Sequence, residues 1–343
     1  MEWKYIIIFL LLLNGVEALV IGEEKPSLVD TVFVTNNRWP DCIAATDYGY
    51  EVDGVILQTY SNYLDPSVES LIEGIAPKRI VIVGGPLAVS YSVEERLKKY
   101  GDVVRVWGPT RVETREEILK MIEREERIVL VNGSNFKDAV DVISRDYAPA
   151  YCFINVYDPY QVMRVYRDDG IVELYYVKNR RLIGKYPRRY VLELPGKIVV
   201  LSRCPDMDIE FTNNQYIAKF GYKLIDLGNT SFNSPCGYTV VVNENTPSGV
   251  LLSKYLDIPV VYNSEIPRGD KVIKFENDPI NSSITVTVDI LVLKRTVELY
   301  KRNRDLKQSL YEAKTQLWSK NIPVERYNIP YSCLEKYIEK MEY

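Results

Sequence analysis

The sequence contains no histidine. That absence removes the commonest general base, the commonest proton shuttle and the commonest zinc ligand, so Ser-His-Asp hydrolases, Cys-His proteases and His-ligated metalloenzymes are excluded. Cysteine is sparse as well. Five residues (Cys42, Cys152, Cys204, Cys236 and Cys333) stand far apart with no C-x-x-C pair, which excludes a zinc knuckle. The odd count leaves at least one thiol free or intermolecular, and spacing does not fix the pairing. Cys42, inside DCIAA, reads as a small buried core residue.

An excess of one charge is also missing: 43 Lys and Arg face 47 Asp and Glu, for a formal net charge of -4. No global field attracts nucleic acid, so none is expected as a partner, and a polyanion would need a local patch. Beyond the N-terminus there is no long apolar run. Residues 5–13, YIIIFLLLL, fall short of the roughly twenty apolar residues that span a bilayer. With Lys4 before the run, and Val16 and Ala18 before a cleavage point, residues 1–18 read as a cleaved signal peptide, an uncleaved anchor being the alternative. A secreted or cell-surface protein, peripheral to the membrane, is the expectation. Export also gives the N-x-S/T triplets at Asn132, Asn229 and Asn281 a meaning as glycan acceptors.

What is present is an ordinary globular composition, 46% hydrophobic and 26% charged over 343 residues, enough for about two domains. The chain also resembles itself. TNNRWPDCIAA (35–45) lies on NGSNFKDAVDV (132–142) without gaps, matching Trp39 with Phe136 and Asp41 with Asp138. RIVIVGGP (79–86) matches KIVVLSRCP (197–205), and KYGDVVRVWG (99–108) matches KFGYKLIDLG (219–228). A third, degenerate copy opens at YTVVVNENTPSGVLL from 238, with Gly249 in place of the Asp. Strands near 31–35, 53–58, 79–83 and 103–107 alternate with helices near 40–48, 66–73 and 92–99, which predicts a parallel sheet covered on both faces. Ser92 with Glu95 and Thr110 with Glu113 have capping-box spacing.

The first copy resembles the cell wall-binding repeat 2 family of exported prokaryotic surface proteins. WPDCIAA, GVILQT, RIVIVGGPLAVS and VVRVWGPTRVET carry the likeness, through Pro40, Asp41, Ala45, Ile56, Leu57, Thr59, Gly84, Gly85, Ala88, Val89, Ser90, Gly108, Arg111, Glu113 and Thr114. The resemblance implies tandem small Rossmann-like α/β units, commonly three around a pseudo-threefold, and non-covalent attachment to anionic cell-wall polymers. The chain departs from the family pattern at Gln58, where a Leu is usual, and at Ser202-Arg203-Cys204, which replaces the Gly-Gly turn in the second copy.

The organisation that follows is a signal peptide (1–18), a first repeat (27–125), a second repeat (126–236), a degenerate third (237–288), and a C-terminal amphipathic helix with tail (289–343). The first half of the unit repeats at an offset of 97 and the second half at 119, so about 22 residues are inserted, between roughly 157 and 196. There the expected helix gives way to alternating residues around Asp169-Gly170 and Asn179-Arg180, a predicted β-meander. Its stretch 178–189 holds Lys178, Arg180, Arg181, Lys185, Arg188 and Arg189 and no acidic residue. These cations are read either as a site for an anionic surface polymer or as edge protection.

Asn36, Asn37 and Asp41 follow the first strand, where open α/β sheets place ligands; the alternative is that Asp41 caps the helix, and its counterpart Asp138 fits that equally. Gly84 and Gly85 read as a structural turn rather than a phosphate cradle, since the G-x-G-x-x-G spacing is absent. Arg111 and Glu113 read as a contact between units, with polymer binding the alternative for Arg111. Leu306, Leu310, Ala313 and Leu317 make the 289–319 helix amphipathic, to dock on the chain's own sheet or to self-associate. The reading is a non-catalytic surface protein, without cofactor or metal, binding an anionic surface polymer or a surface-layer protein. A carboxylate-dependent enzyme on surface glycans and a purely structural subunit are the alternatives.

Overall fold

The computed structural model describes residues 26–122, 129–143, 151–188, 191–194, 197–200, 208–212, 215–219, 234–262, 269 and 271–342. The leader, Arg189, Cys204, Asn229 and residues 220–228 of the second correspondence lie outside the described residues.

Apolar β-branched runs build the first unit. Strands β1 (Thr31–Asn36), β2 (Val55–Thr59), β3 (Arg79–Val83) and β4 (Asp102–Val106) alternate with α1 (Trp39–Glu51), α2 (Pro66–Ile75) and α3 (Tyr91–Leu97), and α4 (Arg111–Leu119) follows. All pairings are parallel, in the order β2-β1-β3-β4. Val32, Phe33, Val34, Val55, Ile56, Leu57 and Ile80 to Val83 are buried, as a sheet covered on both faces requires. Thr110 and Glu113 form the predicted capping box at α4. At α3 the cap is Ser90, accepting from the Val93 N–H at 3.4 Å, and not Ser92, because Tyr91 is already helical.

The second unit keeps only part of this plan. Strand β5 (Val129–Asn132), α5 (Phe136–Ile143) and β6 (Tyr151–Tyr157) form a parallel βαβ step. The predicted meander follows as β7 (Val162–Tyr166), β8 (Ile171–Tyr176) and β9 (Leu182–Pro187), a separate antiparallel sheet. Next come β10 (Val191–Leu194), β11 (Lys197–Val200), β12 (Asp208–Thr212) and β13 (Gln215–Lys219), giving a six-stranded order β10-β11-β6-β5-β13-β12. Strand β11 matches β3 in sequence but runs antiparallel to β6, whereas β3 runs parallel to β1.

The third unit restores the parallel pattern. Strands β14 (Tyr238–Val242), β15 (Val260–Tyr262) and β16 (Lys271–Ile273), with α6 (Gly249–Leu256), form the order β15-β14-β16, which repeats β2-β1-β3. Asn243 Oδ1 accepts from the Asn245 N–H at 2.8 Å, as Asn36 Oδ1 accepts from the Arg38 N–H at 3.0 Å. Matching these two Asx turns places Ser248 opposite Asp41, one position before the predicted Gly249.

The predicted helix over 289–319 is two helices, α7 (Pro279–Asn303) and α8 (Leu306–Trp318). Arg304 ends α7 in the left-handed region at φ 55, and Asp305 caps α8 by accepting from the Gln308 N–H at 3.0 Å. Helix α7 docks on the chain's own sheet along the outer edge of β2, which it helps to bury. Ser283 Oγ accepts from the Gln58 N–H at 2.9 Å, and Thr287 Oγ1 donates to Ile56 O at 3.5 Å. Side-chain hydroxyls thus satisfy edge groups that would otherwise be open to another strand. Helix α9 (Tyr331–Met341) is tied by the Cys236–Cys333 disulfide to the segment that leads into β14, and Cys42 is buried as predicted, with a free thiol.

The three units share one core. Trp39 and Phe136, matched in the sequence repeat, meet edge-to-face with centroids 5.3 Å apart, and Phe136 meets Tyr262 of the third unit at 5.9 Å. Beside this junction Arg115, fully buried, donates from Nη2 to Asp47 Oδ2 at 2.7 Å and from Nη1 to Ala44 O at 2.8 Å. Lys254 of α6 reaches the other Asp47 oxygen at 3.1 Å, so one buried carboxylate joins three helices. No described helix is long and apolar enough to cross a membrane.

Candidate functional site

Three strand ends bring a polar group together at the C-terminal rim of the first sheet. Asn36 ends β1 buried, with its side chain holding the turn, while Asn37 is half-buried and Arg38 exposed. Arg38, whose side chain makes no cap bond, is the N-cap of α1. Asp41 is therefore in the first helical turn and is not the cap, since the Asx turn of Asn36 already orders the chain there. Burial pushes the Asp41 carboxyl up to about 7, against the pull of Arg111 and then Arg38.

Gly84 and Gly85 pack against this group. Gly84 has φ 121, and a Cβ there would lie 2.8 Å from Asp41 Oδ2; one on Gly85 would lie 2.7 Å from Trp107 Cε3. Both glycines serve close approach, which agrees with a structural turn. Glu113 is engaged by Thr110 in the capping box, and Arg111 Nη1 donates to Gly133 O at 2.7 Å, joining the first unit to the second. Asp138 is placed on α5, and Asn132 ends β5.

The meander reaches the same rim at its base. Arg111 acts on the hydroxyl of Tyr157 and Glu113 on that of Tyr186, and these two tyrosines hydrogen-bond to each other. The six predicted cations do not form one cluster. Lys185 Nζ lies 2.8 Å from Glu173 Oε1, its cross-strand partner on β8, and Arg167 holds the second oxygen at 2.5 Å. Lys185, then Arg167 and Tyr175, pull the Glu173 carboxyl down to about 2. The sequence reading missed this partner because it lies outside the stretch 178–189, across the strand pair. Arg188 stacks over Tyr166 at 5.3 Å. Lys178, Arg180 and Arg181 remain at the β8–β9 turn, exposed and without an ion pair among the described residues, with Arg180 at φ 51.

Asn281 lies in the first turn of α7, where its side chain accepts from Arg326 at 3.1 Å, and the hydroxyl residue of its triplet, Ser283, is buried. A folded helix does not present that triplet as a loop acceptor. Among the described residues no group of His, Cys, Asp or Glu could hold a metal. Arg38 was missed in the sequence because the family motif begins one residue later, at Trp39.

No family model matches the chain. Over 128 residues it is 28% identical to N-acetylmuramoyl-L-alanine amidase LytC of Bacillus subtilis (strain 168), a stretch covering 37% of this chain and 26% of that protein. Over 120 residues it is 28% identical to the Amidase enhancer of the same organism, covering 35% of this chain and 17% of that protein. The chain thus spans about a quarter or less of the length of these curated relatives. Solved structures similar to it include Cwp6 from Clostridium difficile, with 24% identity, TM-score 0.33, and coverage of 36% of this chain and 21% of that one. Cwp8 from Clostridium difficile has 16% identity and TM-score 0.34, covering 99% of this chain and 54% of that one. The resemblance to the cell wall-binding repeat 2 family read from the sequence is upheld.

Proposed function

We propose that the chain is a non-catalytic protein of the cell surface that attaches to an anionic polymer of the cell wall. The observation that carries this reading is the β8–β9 turn, where Lys178, Arg180 and Arg181 are exposed and without an ion pair among the described residues. Cations at the turn of a short hairpin form a local positive patch on a chain whose net charge is -4. The similarity of part of the chain to an amidase and an amidase enhancer favours a cell-wall setting. An enzyme that cleaves glycans through two carboxylates fits less well. The charged groups acting on Asp41 are arginines, Glu113 is engaged in a helix cap, and Glu94 is paired with Arg105.

The test is sedimentation of the protein with cell envelopes from its own source across a salt series. Wild type should bind, with affinity falling as salt rises. Changing Lys178, Arg180 and Arg181 together to Ala should weaken binding at low salt at least about tenfold and flatten the salt dependence. Undiminished binding by the triple variant would remove the hairpin from the account. Asp41→Asn should bind as wild type does, and an accompanying loss of glycan cleavage would favour the enzyme.

A further inference from the structure

Aromatic side chains gather along the same sheet edge without entering the core. Tyr60 and Tyr63 follow β2, Tyr91 opens the helix after β3, and Trp107 follows β4; their exposures are 41%, 46%, 63% and 45%. Their loops are joined, since the Ser90 N–H donates to Ser61 O at 2.7 Å and Arg105 of β4 donates to Gly84 O at 2.8 Å. With sheet order β2-β1-β3-β4, the rings span three strand spacings, about 14 Å.

Two of these rings rest against neighbouring groups and are still exposed. Three benzo-ring atoms of Trp107 lie within 3.3 Å of where a side chain on Gly85 would begin, so the indole rests on backbone that only glycine leaves clear. The ring of Tyr91 has the Arg105 guanidinium over it at 5.5 Å, and Arg105 is itself fixed by Glu94 at 2.6 Å. Tyr60 and Tyr63 sit with centroids 6.3 Å apart and planes tilted by 34°, a spacing that leaves their faces uncovered by each other. Ser61 and Asn62 separate Tyr60 from Tyr63 in the chain, and Ser92, its hydroxyl 2.8 Å from that of Ser90, follows Tyr91.

We propose that this rim is a carbohydrate-stacking site, in which Trp107 and Tyr91, with Tyr60 and Tyr63 beside them, take the apolar faces of uncharged pyranose residues. Supported, exposed rings with hydroxyl and amide residues next to them in the chain suit a ligand that is apolar on its ring faces and hydroxylated around its edge. An apolar protein interface would call for a cluster depleted of such polar groups at its centre. Continuity with Arg111, four residues after Trp107, places the platform next to the cationic side of the rim. The site recognises sugar rings and not charge, so it stands or falls separately from the hairpin cations.

The test titrates the full chain with neutral oligomers of β-1,4-linked glucose, N-acetylglucosamine and mannose, by calorimetry at low and high salt. At least one series should bind with little salt dependence, with affinity lowered about tenfold by Trp107→Ala and by Tyr91→Ala, and largely kept by Trp107→Phe. Thermal unfolding should show both Ala variants folded, and the hairpin triple variant should bind these sugars as wild type does. Absence of binding to all three series would overturn the proposal, as would equal binding by both Ala variants. If the Ala variants keep sugar binding but lose a surface-protein partner, the rim is a protein interface and the proposal is wrong.

Discussion

Asp41 is a carboxyl whose surroundings hold its proton. Its pKa rises from 3.8 to about 7 on folding, because burial outweighs Arg111 and Arg38. The native state thus binds this proton more tightly than the unfolded chain does. The stability it contributes is fully present below pH 3.8 and is lost as pH rises through 7. Asp289, buried in α7 and pushed up from 3.8 to about 8, acts in the same direction over a slightly wider window. Urea unfolding should therefore show stability falling between about pH 4 and about pH 8, and Asp41→Asn should remove about 4 kcal/mol of that fall. A variant with the wild-type pH slope would mean that Asp41 is already ionised in the native protein. The position was legible in the sequence as an Asp repeated at 138, in each copy two residues after the matched aromatics Trp39 and Phe136. Its state was not, because that depends on Gly84 arriving from the end of β3 and on two arginines at the starts of different helices, Arg38 and Arg111.

At the scale of elements, the contact of α7 with β2 shows how an edge strand is closed by a helix. Ser283 is buried and accepts from the Gln58 N–H, so Ser283→Ala would leave that donor buried and unpaired. The expected cost is about 1–3 kcal/mol in denaturant unfolding, with the fold retained. Wild-type stability in that variant would show that the amide finds another acceptor. The four strands of the first sheet were readable because β-branched runs buried on both faces carry a strong local signal. The direction of β11 was not. KIVV has the composition of β3, yet strand direction is set by how the chain returns. In the second unit a meander replaces the crossover helix, so the chain re-enters the sheet antiparallel to β6. The break between α7 and α8 was not read, because the apolar spacing of Leu306, Leu310, Ala313 and Leu317 runs on from the preceding helix, whereas the structure ends α7 on a left-handed Arg304 and starts α8 on an Asp305 cap.

For the molecule as a whole, the third unit is too small to stand on its own sheet, and its neighbours complete it. Its β14 is covered by its own α6, which packs on α1 and α7, its β15 lies against α5, and the junction of Trp39, Phe136 and Tyr262 and the Asp47 cluster that Lys254 enters tie it to its neighbours. The Cys236–Cys333 disulfide closes this assembly by linking residues 97 apart in sequence. A cross-link over so long a loop restricts the unfolded chain strongly, and on the chain-entropy view contributes up to about 4.7 kcal/mol. Cys333→Ser is therefore expected to lower unfolding stability by about 3 kcal/mol, and reduction of the wild type should lower it by a similar amount. Parallel denaturant titrations of oxidised wild type, reduced wild type and Cys333→Ser measure this. If all three coincide, packing of α9 alone fixes the C-terminus. If the variant is weaker only through an earlier, separate transition, the third unit unfolds independently of the first. The shared core argues for one transition, because separating the units would expose Trp39 and Phe136 and leave Asp47 short of a buried partner.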